Sequence, residues 1–85
     1  MPAPVYLKQS YDQKTWVISF PDGRTVCTGY APALVAATAW ASKHGGLVIA
    51  QSHTGQTVRA LEFTRPDGEG DGYQRREIDP SLINL

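Results

Sequence analysis

The sequence predicts an α+β fold, in which a mostly antiparallel sheet of five to six strands carries one alanine-rich helix on one face, in the order β-β-β-α-β-β-β. Two observations lead to this prediction. A single segment, Ala33 to His44, has both helical composition and helical end signals. On each side of it, short β-branched and aromatic runs are separated by turn residues. Because one helix covers only one side of a sheet, we expect the other face to be polar, to self-associate or to bind a partner.

The helix prediction rests on both ends of the segment and on its small side chains. Pro32 is tolerated in a first helical turn, where its missing N–H would have no partner. Gly45 and Gly46 provide a left-handed exit at the other end. The residues that share one stripe of the helix are Leu34, Ala37, Thr38 and Ala41. We expect this stripe to face the sheet, since small side chains let a helix lie close to it.

The helix is apolar over more of its circumference than one sheet needs to cover. Trp40 projects to one flank together with Ala33 and Ala36, and Lys43 lies opposite the predicted stripe. This excess is either harmless exposed alanine or part of a partner-binding surface. His44 is expected to stabilise the C-terminal end of the helix, where unpaired carbonyl groups carry a partial negative charge.

The strands are predicted from runs of β-branched and aromatic residues that end at turn residues. They are Val5 to Gln9, Thr15 to Phe20, Thr25 to Thr28, Leu47 to Gln51, Thr57 to Thr64 and Tyr73 to Ile78. The strongest turn is Pro21 to Gly23, since proline presets φ and glycine accepts a positive φ. In the fifth strand, Ala60 falls on one face and Leu61 with Phe63 on the other, which predicts a bulge or a strand that is covered on both faces.

Length, charge and cysteine content limit the class of protein. The chain of 85 residues fits a single domain over 1–85, with 79–85 expected as a loosely ordered tail. Eight basic and eight acidic residues balance, which disfavours a strongly basic nucleic-acid binder and an acidic DNA mimic. Cys27 has no partner for an intrachain disulfide, which indicates a cytoplasmic protein. Its position within the strand Thr25 to Thr28 predicts a buried structural thiol. No apolar run approaches the roughly 20 residues that span a bilayer, and the N-terminal residues do not resemble a signal peptide, so no membrane partner is expected.

The loop at 66–72, PDGEGDG, resembles the first half of a calcium loop, because Asp67, Glu69 and Asp71 alternate before a glycine. The twelfth position of such a loop requires a glutamate, where this chain has Ile78. A solvated hairpin loop is the preferred interpretation, with cation binding and contact with a protein partner as the alternatives.

Cys27, His44 and His53 are the candidates for thiol chemistry or for a soft-metal site. Their spacings match no known ligand pattern, and the sequence contains no nucleophile elbow, phosphate loop or paired-carboxylate motif. We therefore expect a protein that is not an enzyme and that needs no cofactor and no metal.

Candidate partner-binding residues lie in the last two strands and on the exposed flank of the helix. They are Arg59, Tyr73, Arg75, Arg76 and Trp40. Aromatic and arginine side chains often dominate the energy of an interface, and the arginines, together with Arg65, would grip phosphates or carboxylates. Glu62, Glu77 and Asp79 lie in the same region, so cross-strand salt bridges on a solvated face are the simpler interpretation.

The segment ALVAATAWASKHGGLVIAQSHTGQTV has an alanine-rich helix that ends in glycine, then a hydrophobic strand, a turn and another strand. In this order it resembles small uncharacterised bacterial β-β-α-β-β proteins, which also have a tryptophan strand like Thr15 to Phe20. It also resembles the short phage-encoded anti-CRISPR inhibitors. The resemblance spans Thr15 to Thr64 and concerns topology, so no functional residue is carried over. It implies a non-catalytic protein that binds a bacterial CRISPR-Cas effector or nuclease and blocks target DNA binding or nuclease recruitment.

The sequence thus favours a small cytoplasmic binding protein of phage or mobile-element origin, which inhibits a bacterial defence complex by steric occlusion. One alternative is an accessory protein that binds nucleic acid through the C-terminal arginines. Another is a homodimeric structural domain that buries the open sheet face or the Trp40 side of the helix.

Overall fold

A computed structural model of the protein describes residues 4–64 and 73–82. Within these residues it contains one α-helix and six strands, which confirms the predicted α+β fold and the order of its elements. The elements are β1 (Val5–Gln9), β2 (Trp16–Ser19), β3 (Thr25–Thr28), α1 (Tyr30–His44), β4 (Gly46–Gln51), β5 (Thr57–Thr64) and β6 (Gln74–Ile78). A short 3-10 helix, Pro80–Leu82, follows β6. Arg65 and the predicted acidic loop at 66–72 lie outside the described residues.

The six strands form one mixed sheet in the order β3-β2-β1-β4-β5-β6. Neighbouring strands pair antiparallel except for β1 and β4, which lie parallel at the centre, with Val5 beside Val48 and Leu7 beside Ala50. Parallel neighbours need a long connection, which β2, β3 and α1 supply here. The prediction of a mostly antiparallel sheet is confirmed, and the parallel central pair is an addition to it.

α1 begins at Tyr30, before the predicted start at Ala33. Its N-cap is Gly29, which has no side chain that could cap the helix. The N–H of Ala33 donates to the Gly29 carbonyl at 3.0 Å. At the other end, Gly45 and Gly46 have φ angles of 77° and 105°, so the predicted positive φ at the exit is confirmed, although Gly45, with ψ 177°, lies outside the left-handed helical conformation. Over the described part of the chain, no helix reaches the length and hydropathy that crossing a membrane requires.

Alanines on one side of α1 pack against the sheet. Ala33, Ala37 and Ala41 are completely buried. Leu34 and Thr38, which the sequence places on the sheet-facing stripe, are half-buried, so the predicted stripe is partly wrong. Several small-residue stripes run along this helix, and the packing of the whole domain decides which one meets the sheet. On the sheet side of this core, the largest fully buried side chains are those of Val5, Leu7, Ile18, Val48 and Leu61.

The position of β3 at the edge of the sheet corrects the prediction for Cys27. The thiol is exposed, not buried. In the β2–β3 pairing, Val26 lies opposite the core residue Ile18, whereas Cys27 lies opposite Val17. Since successive side chains of a strand alternate between faces, Cys27 points away from the face that α1 covers. Strand order is a property of the whole fold, and the local sequence around Cys27 does not contain it.

β5 is covered on both faces over part of its length, as predicted. Ala60, Leu61 and Phe63 are all buried. The register between β4 and β5 also shifts between Ala50 and Gln51, which is the expected bulge or irregularity.

The sheet face away from α1 is apolar at its centre. Neighbours in the strand register form a row across β1, β4, β5 and β6, which consists of Tyr6, Ile49, Ala60 and Ile78. Ile49 and Ala60 are buried, while Tyr6 is 41% exposed. Of the three alternatives predicted for this face, which were that it is polar, self-associates or binds a partner, a polar surface does not describe its centre.

Aspartate side chains close three of the turns. The backbone N–H groups of Lys14, Arg24 and Ser81 donate to Oδ1 of Asp12, Asp22 and Asp79 at 3.0, 2.9 and 3.0 Å. Hydrogen bonds hold the pKa of all three carboxyls below the usual value. The largest contribution comes from the Ser10 hydroxyl for Asp12 and from the backbone N–H for Asp22 and Asp79. The ionised form of each carboxylate therefore favours the folded state.

We expect the stability of the protein to fall as the pH drops below about 4. A carboxyl with a lowered folded-state pKa stabilises the fold above its unfolded pKa, and this contribution is lost as the pH falls through the folded pKa. The triple variant Asp12→Asn, Asp22→Asn, Asp79→Asn keeps an acceptor oxygen in each turn but does not titrate. Its Tm should lie below that of the wild type at neutral pH and approach it near pH 3, which thermal melts over about pH 3–7 measure. A difference in Tm that stays constant over this range would contradict the prediction.

Candidate functional site

The two predicted arginines of β6 point to opposite faces of the sheet, because adjacent strand residues alternate. Arg75 lies opposite Phe63, on the side of α1, and is exposed beside Leu34. Arg76 lies opposite Glu62 on the other face. The Arg76 Nη2 and the Glu62 Oε1 are 3.1 Å apart. Arg75 and Arg76 therefore do not lie on one surface of the sheet.

Arg59 is engaged within the fold. Its Nε and Nη2 lie 2.9 and 2.8 Å from Oε1 of Glu77 on β6. A hydrogen bond with Tyr30 and then the contact with Glu77 raise the pKa of Arg59. Tyr30 in turn packs on Trp16, with ring centroids 4.8 Å apart. Arg59 thus connects β5 to β6 and to the start of α1, and the cross-strand salt bridges that the sequence suggested are present.

Tyr73 packs against the core beside the exit of α1, and it precedes β6 instead of beginning the last strand as predicted. A Cβ atom on Gly45 would lie 2.6 Å from the Tyr73 Cε1. The half-buried Tyr73 ring therefore approaches a backbone position that only glycine leaves open. Its observed role is packing.

Trp40 lies on the other flank of α1, toward β2 and β3. Its ring centroid is 5.4 Å from that of Phe20 and 4.2 Å from that of His44. The guanidinium carbon of Arg24 lies 4.7 Å from the Phe20 centroid and 5.7 Å from the Trp40 centroid. These distances are typical of cation–π contacts. The apolar flank of α1 that the sheet does not cover is thus half-buried in an aromatic and cationic cluster around Trp40.

This cluster lines a groove between α1 and the edge of the sheet, which we call the α1–β3 groove. Val26, Ala36, Ala39 and Lys43 complete its walls. Its volume of about 490 Å³ lies in the range of about 300–1,000 Å³ that is usual for ligand clefts. Among the described residues that line the groove, none is acidic, and Arg24 and Lys43 carry permanent positive charge.

Asp22 of the preceding turn contacts Arg24 from outside the groove lining. The Asp22 Oδ2 and the Arg24 Nε are 3.0 Å apart, and the Arg24 side chain remains 61% exposed. Such an exposed ion pair contributes little energy. The guanidinium group therefore stays accessible to a ligand in the groove.

Sequence reasoning missed Arg24 and Lys43. Lys43 follows Trp40 by three positions, a spacing that brings two side chains to the same flank of a helix, so helical periodicity contains this signal. The predicted stripe places Lys43 on the side of α1 that faces away from the sheet, and for this reason its proximity to Trp40 was missed. Arg24 has no comparable local signal, because its approach to Trp40 depends on the packing of the β2–β3 hairpin against α1.

The candidates for thiol or metal chemistry do not form a site. Over the described residues, no group of three His, Cys, Asp or Glu side chains is placed to hold a metal ion. The half-buried His53 has its backbone N and its Nδ1 each 3.2 Å from Oε1 of Gln9, so it links the β4–β5 turn to β1. His44 is exposed and lies against Trp40 at the C-terminal end of α1.

The fold and the groove together define a small α+β domain with an aromatic, cationic groove at one edge of its sheet. Comparisons with protein-family models, with curated proteins and with solved structures find no match to this chain.

Proposed function

We propose that this protein is a non-catalytic binding protein that recognises another protein through the α1–β3 groove. The observation that carries the proposal is the cluster of Trp40, Phe20 and the exposed Arg24 on the groove wall. Tryptophan and arginine are the residue types that most often dominate binding energy. Their cation–π contacts also hold the side chains in place before binding, which reduces the entropy lost on association.

The partner that we propose is a protein of a bacterial CRISPR-Cas complex, whose target DNA binding or nuclease recruitment this protein would block by steric occlusion. The support is the topological resemblance of Thr15 to Thr64 to phage-encoded anti-CRISPR inhibitors. An inhibitor of this kind acts in the cytoplasm of the host cell and needs no cofactor.

The remaining predicted contact residues support protein binding over nucleic-acid binding. Arg59 and Arg76 each hold a glutamate within the fold, and Arg75 lies on the face opposite Arg76. A phosphate backbone is bound best by several unpaired cations on one surface. Of the five predicted residues, Trp40 is therefore the one on which the proposal rests.

The test is inhibition of purified CRISPR-Cas effector complexes of several types, measured as loss of target DNA binding. We expect the wild-type protein to inhibit at least one complex. Ala39→Glu, which places a carboxylate in the groove, should raise the half-inhibitory concentration by about tenfold or more. Val35→Glu is the matched control, since Val35 is 69% exposed on the same helix but does not line the groove.

Two results would count against this proposal. If the wild-type protein leaves every complex active, the assignment of the partner is wrong. If Ala39→Glu and Val35→Glu inhibit equally well, the groove is not the contact surface.

A further inference from the structure

The edge strand β3 borders the α1–β3 groove and offers free backbone groups. Among the described strands, only β2 pairs with β3. At the turn, the N–H of Phe20 donates to the carbonyl of Arg24 at 2.9 Å. Hydrogen-bonded positions alternate along an antiparallel pair, so the pairing of Val26 with Ile18 is also hydrogen-bonded and that of Thr25 with Ser19 is not. The N–H and C=O groups of Thr25 and Cys27 therefore point outward from the sheet edge.

The side chains of β3 connect this edge to the groove. Arg24 and Val26 lie on the face that α1 covers, and both line the groove. A strand added beside β3 would project every second side chain onto the same face. Those side chains would enter the space between Val26 and the Ala36–Trp40 flank of α1. The groove and the free edge are thus positioned to bind one extended chain.

The charge of the groove selects the chemistry of that chain. Arg24 and Lys43 line it, no described lining residue is acidic, and Arg24 makes an exposed ion pair with Asp22, which lies outside the lining. The partial negative charge at the C-terminal end of α1 is offset by Lys43 and His44 in its last turn. A carboxylate on the incoming chain would meet a lining with net positive charge, whereas a lysine or arginine would be repelled.

We propose that β3 and the α1–β3 groove bind an extended, acidic segment of the partner protein, which adds a seventh strand to the sheet. This rests on the proposed function in so far as the partner is a protein. Backbone hydrogen bonds to Thr25 and Cys27 provide the pairing, a glutamate or aspartate contacts Arg24 and Lys43, and an apolar side chain packs on Trp40. In this mode of recognition, main-chain bonds supply affinity and alternate side chains supply specificity.

The probe is a fluorescein-labelled peptide that has threonine at every second position and either glutamate or leucine at the positions between. In one register, all side chains that face the groove are therefore acidic or apolar. Two further versions of the peptide carry N-methyl groups on every second amide. One is methylated at the threonine positions and the other at the glutamate and leucine positions. A strand at a sheet edge uses only every second N–H for pairing. We expect fluorescence anisotropy to show that one methylated version binds at least about tenfold more weakly, while the other changes by less than about twofold.

Protein variants test the charge. Arg24→Glu with Lys43→Glu should weaken binding of the acidic peptide by at least about tenfold and favour a version with lysine in place of glutamate. Lys43→Glu alone should give a smaller loss in the same direction, which keeps the test valid if the Arg24 change disturbs the turn. Lys8→Glu with Lys14→Glu makes the same charge change away from the groove and should bind as the wild type does.

Equal effects of the two methylation registers would overturn the inference, as would binding that ignores the Arg24 and Lys43 changes or no binding at millimolar peptide. A concentration-dependent dimer that forms through β3 would also overturn it, because the occupant would then be a second copy of this chain. If the protein inhibits a CRISPR-Cas complex in an Ala39→Glu-sensitive way but the methylation registers are equivalent, the proposed function stands and the strand addition fails. If one methylation register weakens peptide binding but the protein inhibits no complex, the strand addition stands and the proposed partner is wrong.

Discussion

Replacing Gly45 by alanine should lower the free energy of unfolding by about 3 kcal/mol, which combines backbone strain with overpacking. Gly45 has φ 77° and ψ 177°, a region that is essentially restricted to glycine. An added Cβ would also lie 2.6 Å from the Tyr73 Cε1. The loss is large for a domain whose total stability is of the order of 5–10 kcal/mol, and urea unfolding followed by tryptophan fluorescence measures it.

Gly55→Ala is the matched control for the steric part of this effect. Gly55 has φ 89°, but an added Cβ there would meet no atom within 4 Å, so only about 1 kcal/mol of strain is expected. A double-mutant cycle with Tyr73→Ala separates the two terms further, because Gly45→Ala should cost less when the ring is absent. Strict additivity of the two changes, or equal losses for Gly45→Ala and Gly55→Ala, would show that the contact with Tyr73 is not responsible.

Enlarging a buried alanine of α1 should have the second-largest effect. Ala37 is completely buried between the helix and the sheet. Ala37→Leu should destabilise the protein by about 2 kcal/mol, since extra methyl groups in a packed core force the helix away from the sheet. Ala39→Leu makes the same substitution at an exposed position of α1 and should change stability by less than about 0.5 kcal/mol. Similar losses at both positions would contradict the close contact of α1 with the sheet.

These two predictions concern the parts of the fold that hold the groove in place. The alanines set the distance of α1 from the sheet, and Gly45 with Tyr73 fixes the end of α1 that carries Lys43 and His44. Variants designed to test binding therefore avoid these positions and change only exposed residues, which are Lys8, Lys14, Arg24, Val35, Ala39 and Lys43.

Part of the candidate site could be predicted from the sequence. Adjacent residues of a strand point to opposite faces, so Arg75 and Arg76 could have been separated by alternation alone. Lys43 could have been placed next to Trp40 by helical spacing. Arg24 could not, because it belongs to a hairpin whose approach to α1 depends on packing between elements far apart in sequence.

The sequence by itself determined the type and order of the elements and several of their bounds, since these signals are local. Pro32, Gly45 and the turn at Pro21 to Gly23 limit φ and ψ at their own positions, and the strands β1, β3 and β5 have the predicted bounds. Tertiary structure alone decided the parallel pairing of β1 with β4, the alanine stripe that meets the sheet and the exposure of Cys27 at the edge. Each of these depends on which elements become neighbours, and that choice is made by the burial of apolar surface over the whole domain. The α1–β3 groove is a product of the same choice, because its walls come from α1 and from the edge of the sheet.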